Sequence, residues 1–535
     1  MQDVNEIGLV KKIENSIHKG TYNELLNDLE EKLQVFLAKY TPRDIMILIN
    51  RIILFHNYNM YCKECDYSKY QRDKHLSLRI LLALPQYYCA NVFNTGSVHI
   101  EDFETTMNEL INIIFQLELI YYYYPYRNEK NILFDEKTFF YMNYFKSYYF
   151  DYPCIEIFEY IRFFDENTEL CKKVLADNSF KESLYLMCYL QDIENSLRNE
   201  SLWFKLTNRK AIRKSISINN KYILYSTESI KKICRHKKID YENIINNYAY
   251  QFGNPEERKA KLIDVLADIK DKRFMMITSD FLLFPRNYYW MHKWYNKIWR
   301  SGNISRKLEN GKTQKSQMHE DKLYSLLKHF FGEKNVFANV YLKRPGRQYA
   351  EKDFIVLYHD VVISFEAKSN LLPVPELEGA EGIDNIKNKC EECIKKAYIQ
   401  SLEVKQSIIG GTAIFYDSDK KKNKVLIDLR GVKVDECIQV VVMYEEYLGI
   451  ETNIEKIWPE FDAWIIDINN LSYILADTIG KGKFDKFVDY ASKRKNAYGL
   501  IDVQSGEELK VYNLYKNMPI FFERDCKDRG ISIHI

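Results

Sequence analysis

The stretch Glu351–Ser369, "EKDFIVLYHDVVISFEAKS", decides how the second half of this chain is read. It forms two apolar runs, Ala350–Tyr358 and Val361–Lys368, around the pair His359-Asp360, which is the pattern of a β-hairpin. Yet Asp353 stands near the start of the first run, and Glu366-Ala367-Lys368 closes the second. Ionisable groups are costly at the ends of buried strands unless they are paired or bind something. Successive strand residues face opposite sides, so Glu366 and Lys368 share one face while Ile363, Phe365 and Ala367 take the other, toward a core. Asp353 shares a face of its own strand with Glu351, Ile355 and Leu357. Antiparallel pairing lays the start of one strand beside the end of the other. That brings Asp353 next to Glu366 and Lys368, at one edge of a sheet.

The flanking segments add polar residues at inward positions. In the helix "MHEDKLYSLLKHFFG", Leu323, Leu327, Phe330 and Phe331 form an apolar stripe, and Glu320 falls on it. Glu320 is therefore either a site residue or a carboxylate favoured by the helix dipole. A long helix, about Asn385 to Ser407, follows the hairpin. Gln400 lies seven residues after Cys393 and three after Ala397, so it too faces inward, as a site residue or as a satisfied polar group. A strand near Asn335–Leu342 precedes the hairpin, and strands "GTAIFY", "KVLIDLRG", "CIQVVVMY" and "DAWIIDIN" come after the long helix. Helices "NLSYILADTI" and "KFDKFVDYASKR" complete the half. The order α-β-β-β-α-β points to a mixed sheet flanked by helices.

Two carboxylates offer hard oxygen ligands to Mg²⁺. The metal polarises a phosphoryl oxygen and lowers the pKa of a bound water, and a nearby Lys orients that water and offsets transition-state charge. Asp353, separated by twelve residues from Glu366-Ala367-Lys368, resembles the PD-(D/E)xK, or restriction-endonuclease-like, nuclease superfamily. The resemblance covers roughly Met318 to Tyr444. It implies an α/β domain with an αβββαβ core, the acid on the second strand and the tripeptide on the third. It further implies Mg²⁺ or Mn²⁺ held by Asp353, Glu366 and Glu320, with Lys368 catalytic and Gln400 auxiliary. Glu351, in "AEKD", resembles an E-x-D form of the second-strand motif and is a further candidate. Lys352 stands where the family's Pro would be. The implied activity is phosphodiester hydrolysis in nucleic acid, DNA in preference to RNA. A nuclease fused to a large helical region reads, by analogy, as a regulated defence effector. The alternatives are an RNA nuclease, or a catalytically silent fold kept for binding nucleic acid or protein.

The whole chain has 535 residues, too many for one ordinary core. Residues 1–300 are mostly helical in pattern and read as a regulatory or binding region, with a small hairpin near 215–225. Residues 301–317 are polar, basic and aperiodic, hence a linker, and 318–535 form the nuclease-like domain with a helical extension. The architecture expected is thus α+β and multidomain. The helical region is the place for a homo-oligomer contact or an activating partner.

Net charge is only +2, so any nucleic-acid surface must be local. Lys343, Arg344 and Arg347 before the hairpin, and Lys395 and Lys396 on the long helix, are candidates for backbone contact. The Tyr run 121–126, "YYYYPY", reads as a packed helix end ahead of a stacking platform, because Tyr is abundant throughout (42 residues). No run approaches a membrane span, and the N-terminus has acids where a signal peptide has bases; a cytoplasmic protein without a membrane partner is expected. Cys390 and Cys393 share an apolar helix face and read as small hydrophobes. Cys62 and Cys65 fit no recognisable zinc spacing, so structural zinc is not expected.

Overall fold

His359 and Asp360 turn the chain between strands Tyr349–Tyr358 and Val361–Lys368, and the register runs from Tyr358 opposite Val361 to Phe354 opposite Phe365. His359 adopts a left-handed φ of 52°. Two-residue hairpin turns demand positive φ, because only that hand follows the strand twist. Its ring rests against Phe484, centroid to centroid 5.4 Å.

The structure, a computed structural model, describes residues 6–58, 78–91, 96–150, 157–198, 224–252, 261–268, 271–278, 280–283, 289–301, 308, 312–344, 349–370, 374–375, 377, 382–417, 424–445, 447, 449–498, 501–502, 508–523 and 533–534. Arg347, Cys62, Cys65 and residues 215–223 of the expected small hairpin lie outside them. The chain divides into two compact units, Met1–Leu133 with Tyr149–Asn303, and Phe134–Tyr148 with Ile304–Ile535.

The first unit is mainly helical. Among its described residues four strands, each three residues long, form a sheet in the order Leu224–Ser226, Phe281–Leu283, Met275–Ile277, Ala249–Gln251. Trp290, Trp294 and Trp299 are fully buried in it. Tyr121, Tyr123, Tyr124 and Tyr126 are buried too, and the Tyr121 hydroxyl donates to the buried Glu30 carboxylate. Rings so enclosed are core, not a platform for stacked bases.

In the second unit, elements are numbered from residue 314: α1 (Gln314–Phe331), β1 (Val336–Lys343), β2 (Tyr349–Tyr358), β3 (Val361–Lys368), α2 (Gly382–Cys390), α3 (Lys396–Ile409), β4 (Ile414–Tyr416), β5 (Val425–Asp428), β6 (Glu436–Met443), β7 (Trp464–Asp467), α4 (Ile468–Asp477), α5 (Phe484–Arg494) and α6 (Glu508–Asn517). Helix α1 starts four residues earlier than the sequence implies, because Thr313 caps it: its side chain accepts from the Ser316 N–H at 3.1 Å. Residues 314–317, read as linker, are its first turn. A π-turn at Glu391–Lys395 joins α2 to α3, so the expected long helix is continuous but underwound at one wide turn.

The seven strands form one mixed sheet in the order β7-β6-β3-β2-β1-β4-β5. Strands β1, β2 and β3 form an antiparallel meander, and β6 and β7 continue it in parallel beyond β3. The hairpin β4-β5 is inserted between α3 and β6 and extends the opposite side. Helices cover both faces. Leu323, Leu327 and Phe331 of α1 pack with Phe354, Val356, Ile363 and Phe365 on one face. On the other, Val404 of α3 packs with Val340, Leu342, Ile355 and Val362. The first six residues of β3 are accordingly buried in succession. This corrects the sheet-edge placement: β2 and β3 lie in the middle of the sheet, and the charged residues gather at the ends of central strands.

Candidate active site

The register that pairs Phe354 with Phe365 points Asp353 toward Glu366, one step further along the ladder. Glu366 is fully buried, because β6 flanks it with Val441 as its neighbour. Lys368 closes the triangle. Its Nζ lies 3.6 Å from Asp353 Oδ2 and 3.6 Å from Glu366 Oε2, so the two carboxylates converge on one ammonium. Asp353 Oδ2 also accepts from the Ala367 N–H at 2.8 Å, which fixes the carboxylate against β3.

Neither oxygen of Glu366 accepts a hydrogen bond. Burial, and then the neighbouring charge of Asp353, push its pKa far above the ordinary glutamate range; Lys368 and Lys352 only partly offset this. A fully buried carboxylate that accepts no hydrogen bond from an N–H or hydroxyl and meets a second carboxyl, that of Asp353, calls for a proton or a cation.

Asp353 owes its position to a break in strand alternation. Ala338 pairs with Phe354 and faces α1, yet Val340, two residues on, pairs with Lys352 and faces α3. On a regular strand residues two apart share a face. Between them Asn339 adopts a φ of 51° and flips the strand. Lys352 is thereby turned inward, fully buried, and its Nζ donates to the Gln400 carbonyl at 2.5 Å and to Glu403 Oε2 at 2.8 Å. The Gln400 side chain in turn accepts from Lys368 Nζ at 3.2 Å. Helix α3, β2 and β3 are thus tied through one glutamine.

Glu320 enters from α1, where it is buried on the apolar stripe. Lys312, just before the helix, donates to it, and to Asn339 Oδ1 at 3.0 Å, and lies 4.0 Å from Glu351 Oε1. Burial, and the fields of Asp353 and Glu351, raise the Glu320 pKa despite that bond. Together these groups line a cleft of about 260 Å³, with Glu320, Glu351, Asp353, Lys368 and Gln400 all on its walls. Five of the six sequence candidates border this cleft; the sixth, Glu366, is fully buried next to Lys368.

Four lining residues are not singled out by the sequence: His319, Asn370 and the pair Ser316/Ser369, whose hydroxyls meet at 3.0 Å; Lys312 stands out there only as one of the linker's basic residues. His319 sits four residues before Leu323 and so was readable on the same stripe as Glu320. It is 1% exposed, neither ring nitrogen has a hydrogen-bond partner, and burial, then Lys322, Lys368 and Lys315, push its pKa down to about 3. Lys312 and Asn339 had no periodic signal: one precedes a helix and the other marks an irregular strand.

Among the basic candidates, Lys343 is exposed at the end of β1 and Lys396 at the start of α3. Arg344 is ion-paired with Glu403, and Lys395 with Glu391 at 3.3 Å. Cys390 and Cys393 are buried free thiols; burial pushes both pKa values up, which fits small hydrophobes.

Two hard carboxylates that converge beside a polar cleft suit Mg²⁺, which takes one or two carboxylates and completes its shell with water and substrate phosphate. Among the described residues, no three His, Cys, Asp or Glu side chains form a metal site by themselves. No helix among them is long and apolar enough to cross a membrane. Compared with known proteins, the chain matches no family model, no curated protein and no solved structure.

Proposed function

We propose that the C-terminal unit is a metal-dependent nuclease of the restriction-endonuclease-like type, hydrolysing phosphodiester bonds in DNA in preference to RNA. One observation carries the reading: the buried Glu366 carboxylate, which accepts no hydrogen bond from an N–H or hydroxyl, converges with Asp353 on Lys368 beside a polar cleft. The meander β1-β2-β3 followed in space by parallel β6 also supports it, since it sets the acid and the tripeptide on adjacent strands.

Asp353 and Glu366 would hold Mg²⁺ or Mn²⁺, with Glu320 entering from α1 once released from Lys312. The bound cation supplies a polarised phosphoryl oxygen and a more acidic water. Asp353 is oriented by the Ala367 N–H. Lys368 Nζ, held by Gln400, is placed to carry a proton beside the carboxylates and to offset charge on the phosphate. Lys343 and Lys396 offer exposed charge for the nucleic-acid backbone.

The lysines supply the one observation favouring a second reading. Lys368 answers both carboxylates and Lys312 answers Glu320, an arrangement that also suits a silent binding module. The test is to incubate the full chain with plasmid, single-stranded DNA and RNA, in Mg²⁺ or in EDTA, beside Glu366→Ala and Lys368→Ala. Metal-dependent cleavage that falls by about 10²–10³-fold in both variants is expected. Cleavage that persists in both would refute the site, and binding without cleavage would favour the silent module.

A further inference from the structure

Beside its carboxylates the cleft has a lining of donors, Ser316, His319, Lys368, Ser369 and Asn370. His319 is the unusual member. It is 1% exposed and neither ring nitrogen is hydrogen-bonded. Leaving buried polar atoms unmade costs roughly 1–3 kcal/mol each, so native proteins rarely do so without a partner to come. Its ring is held edge-on to Tyr444, centroids 5.3 Å apart.

The hydroxyls beside it are also incompletely used. Thr313 Oγ1 lies 2.9 Å from Ser316 Oγ, which lies 3.0 Å from Ser369 Oγ. Three hydroxyls bring three protons to two contacts, which leaves one proton for another acceptor. Helix α1 supplies Ser316 and His319, and the end of β3 supplies Lys368 and Ser369, so the lining is built from two rigid elements. Lys368 adds a positive charge, and Lys315 and Lys322 stand close enough for their fields to act on the imidazole. These donors, beside an ammonium that also reaches Asp353 and Glu366, suit an anion that is also an ester of the cleft's substrate.

We infer that this lining is a phosphate subsite, in which His319 and the Ser316/Ser369 pair donate to a non-bridging oxygen of a phosphodiester while Lys368 balances its charge. The choice of a nucleic-acid phosphate rests on the nuclease reading. His319 and the two serines act here as binding groups that seat the ester against Asp353 and Glu366.

The test is calorimetric titration of the full chain with thymidine 3′,5′-bisphosphate, in EDTA at fixed ionic strength. The wild-type chain binds the probe. His319→Leu and the double variant Ser316→Ala/Ser369→Ala, which leave every lysine in place, weaken binding about tenfold or more, equivalent to about 1.4 kcal/mol. His319→Gln, which keeps a donor, stays within a few-fold of wild type. Melting curves verify that each variant is folded. Binding equal to wild type in His319→Leu overturns the subsite, as does a wild-type chain that does not bind. Because chelator is present throughout, the result is independent of cleavage. His319-dependent binding without metal-dependent cleavage keeps the subsite and removes the nuclease. Cleavage without His319-dependent binding does the reverse.

Discussion

Glu366 pays no visible tribute to solvation: it is fully buried, and neither oxygen accepts a hydrogen bond. Replacing it with Gln removes the ionisable group from a buried site and leaves the shape. In EDTA, Glu366→Gln is expected to melt above wild type, whereas a structural ion pair with Lys368 would make it melt below. Lys352 behaves oppositely. Its buried ammonium is fully employed, on the Gln400 carbonyl and on Glu403. Lys352→Met is expected to cost about 2 kcal/mol in denaturant unfolding, and to slow cleavage by freeing Gln400, which positions Lys368. At this scale the sequence was most informative where charge met hydrophobic pattern. Asp353, Glu366 and Lys368 stood out because acids and a lysine interrupt apolar strands. Lys352 was legible only as a missing proline, because its inward turn depends on the flip at Asn339 in another strand.

Elements were legible in proportion to their periodicity. The hairpin, α1, the long helix and the later strands follow from spacing of two or of three and four. The π-turn at Glu391–Lys395, the early start of α1 and the strand flip do not, since each is a local departure from its period. The flip makes its own test. Asn tolerates a φ of 51°, whereas a β-branched residue does not, so Asn339→Val is expected to cost about 1–2 kcal/mol in unfolding experiments, and Asn339→Gly less. Asp467 tests another element. It caps α4 by accepting from the N–H groups of Asn469 and Asn470 at 2.8 and 3.1 Å, yet burial raises its pKa from 3.8 to about 6. The folded chain therefore holds this proton more tightly than the unfolded chain. The stability it contributes is full below pH 3.8 and is lost as pH rises to about 6. Asp467→Asn keeps a cap and abolishes that pH dependence, which urea unfolding at several pH values between those limits will read. Asp467→Ala loses the cap as well, at about 1 kcal/mol.

At the scale of the whole molecule, the sequence anticipated a change of grammar near residue 300, and the compact units divide at Asn303 and Ile304. It did not anticipate that Phe134–Tyr148, from the middle of the helical half, clusters with the C-terminal unit. Helical periodicity marks a buried face without naming what covers it. Gly382, at the start of α2, shows the closeness of this packing: a Cβ there would collide with the ring of Tyr141. Gly382→Ala is therefore expected to destabilise the chain by about 1–3 kcal/mol, and Tyr141→Ala in the same background to relieve the clash. A double variant no better than the sum of its parts would show that the two helices do not meet there.

The carboxylate pair as a cation site is tested most directly by calorimetric titration of Mn²⁺ into the full chain without nucleic acid, for wild type beside Glu366→Gln and Asp353→Asn. Both variants keep the shape of the site and remove one charge from it. Saturable binding in wild type that is lost in each variant is the expected result. Binding that is equal in all three proteins, or absent from wild type, would contradict it.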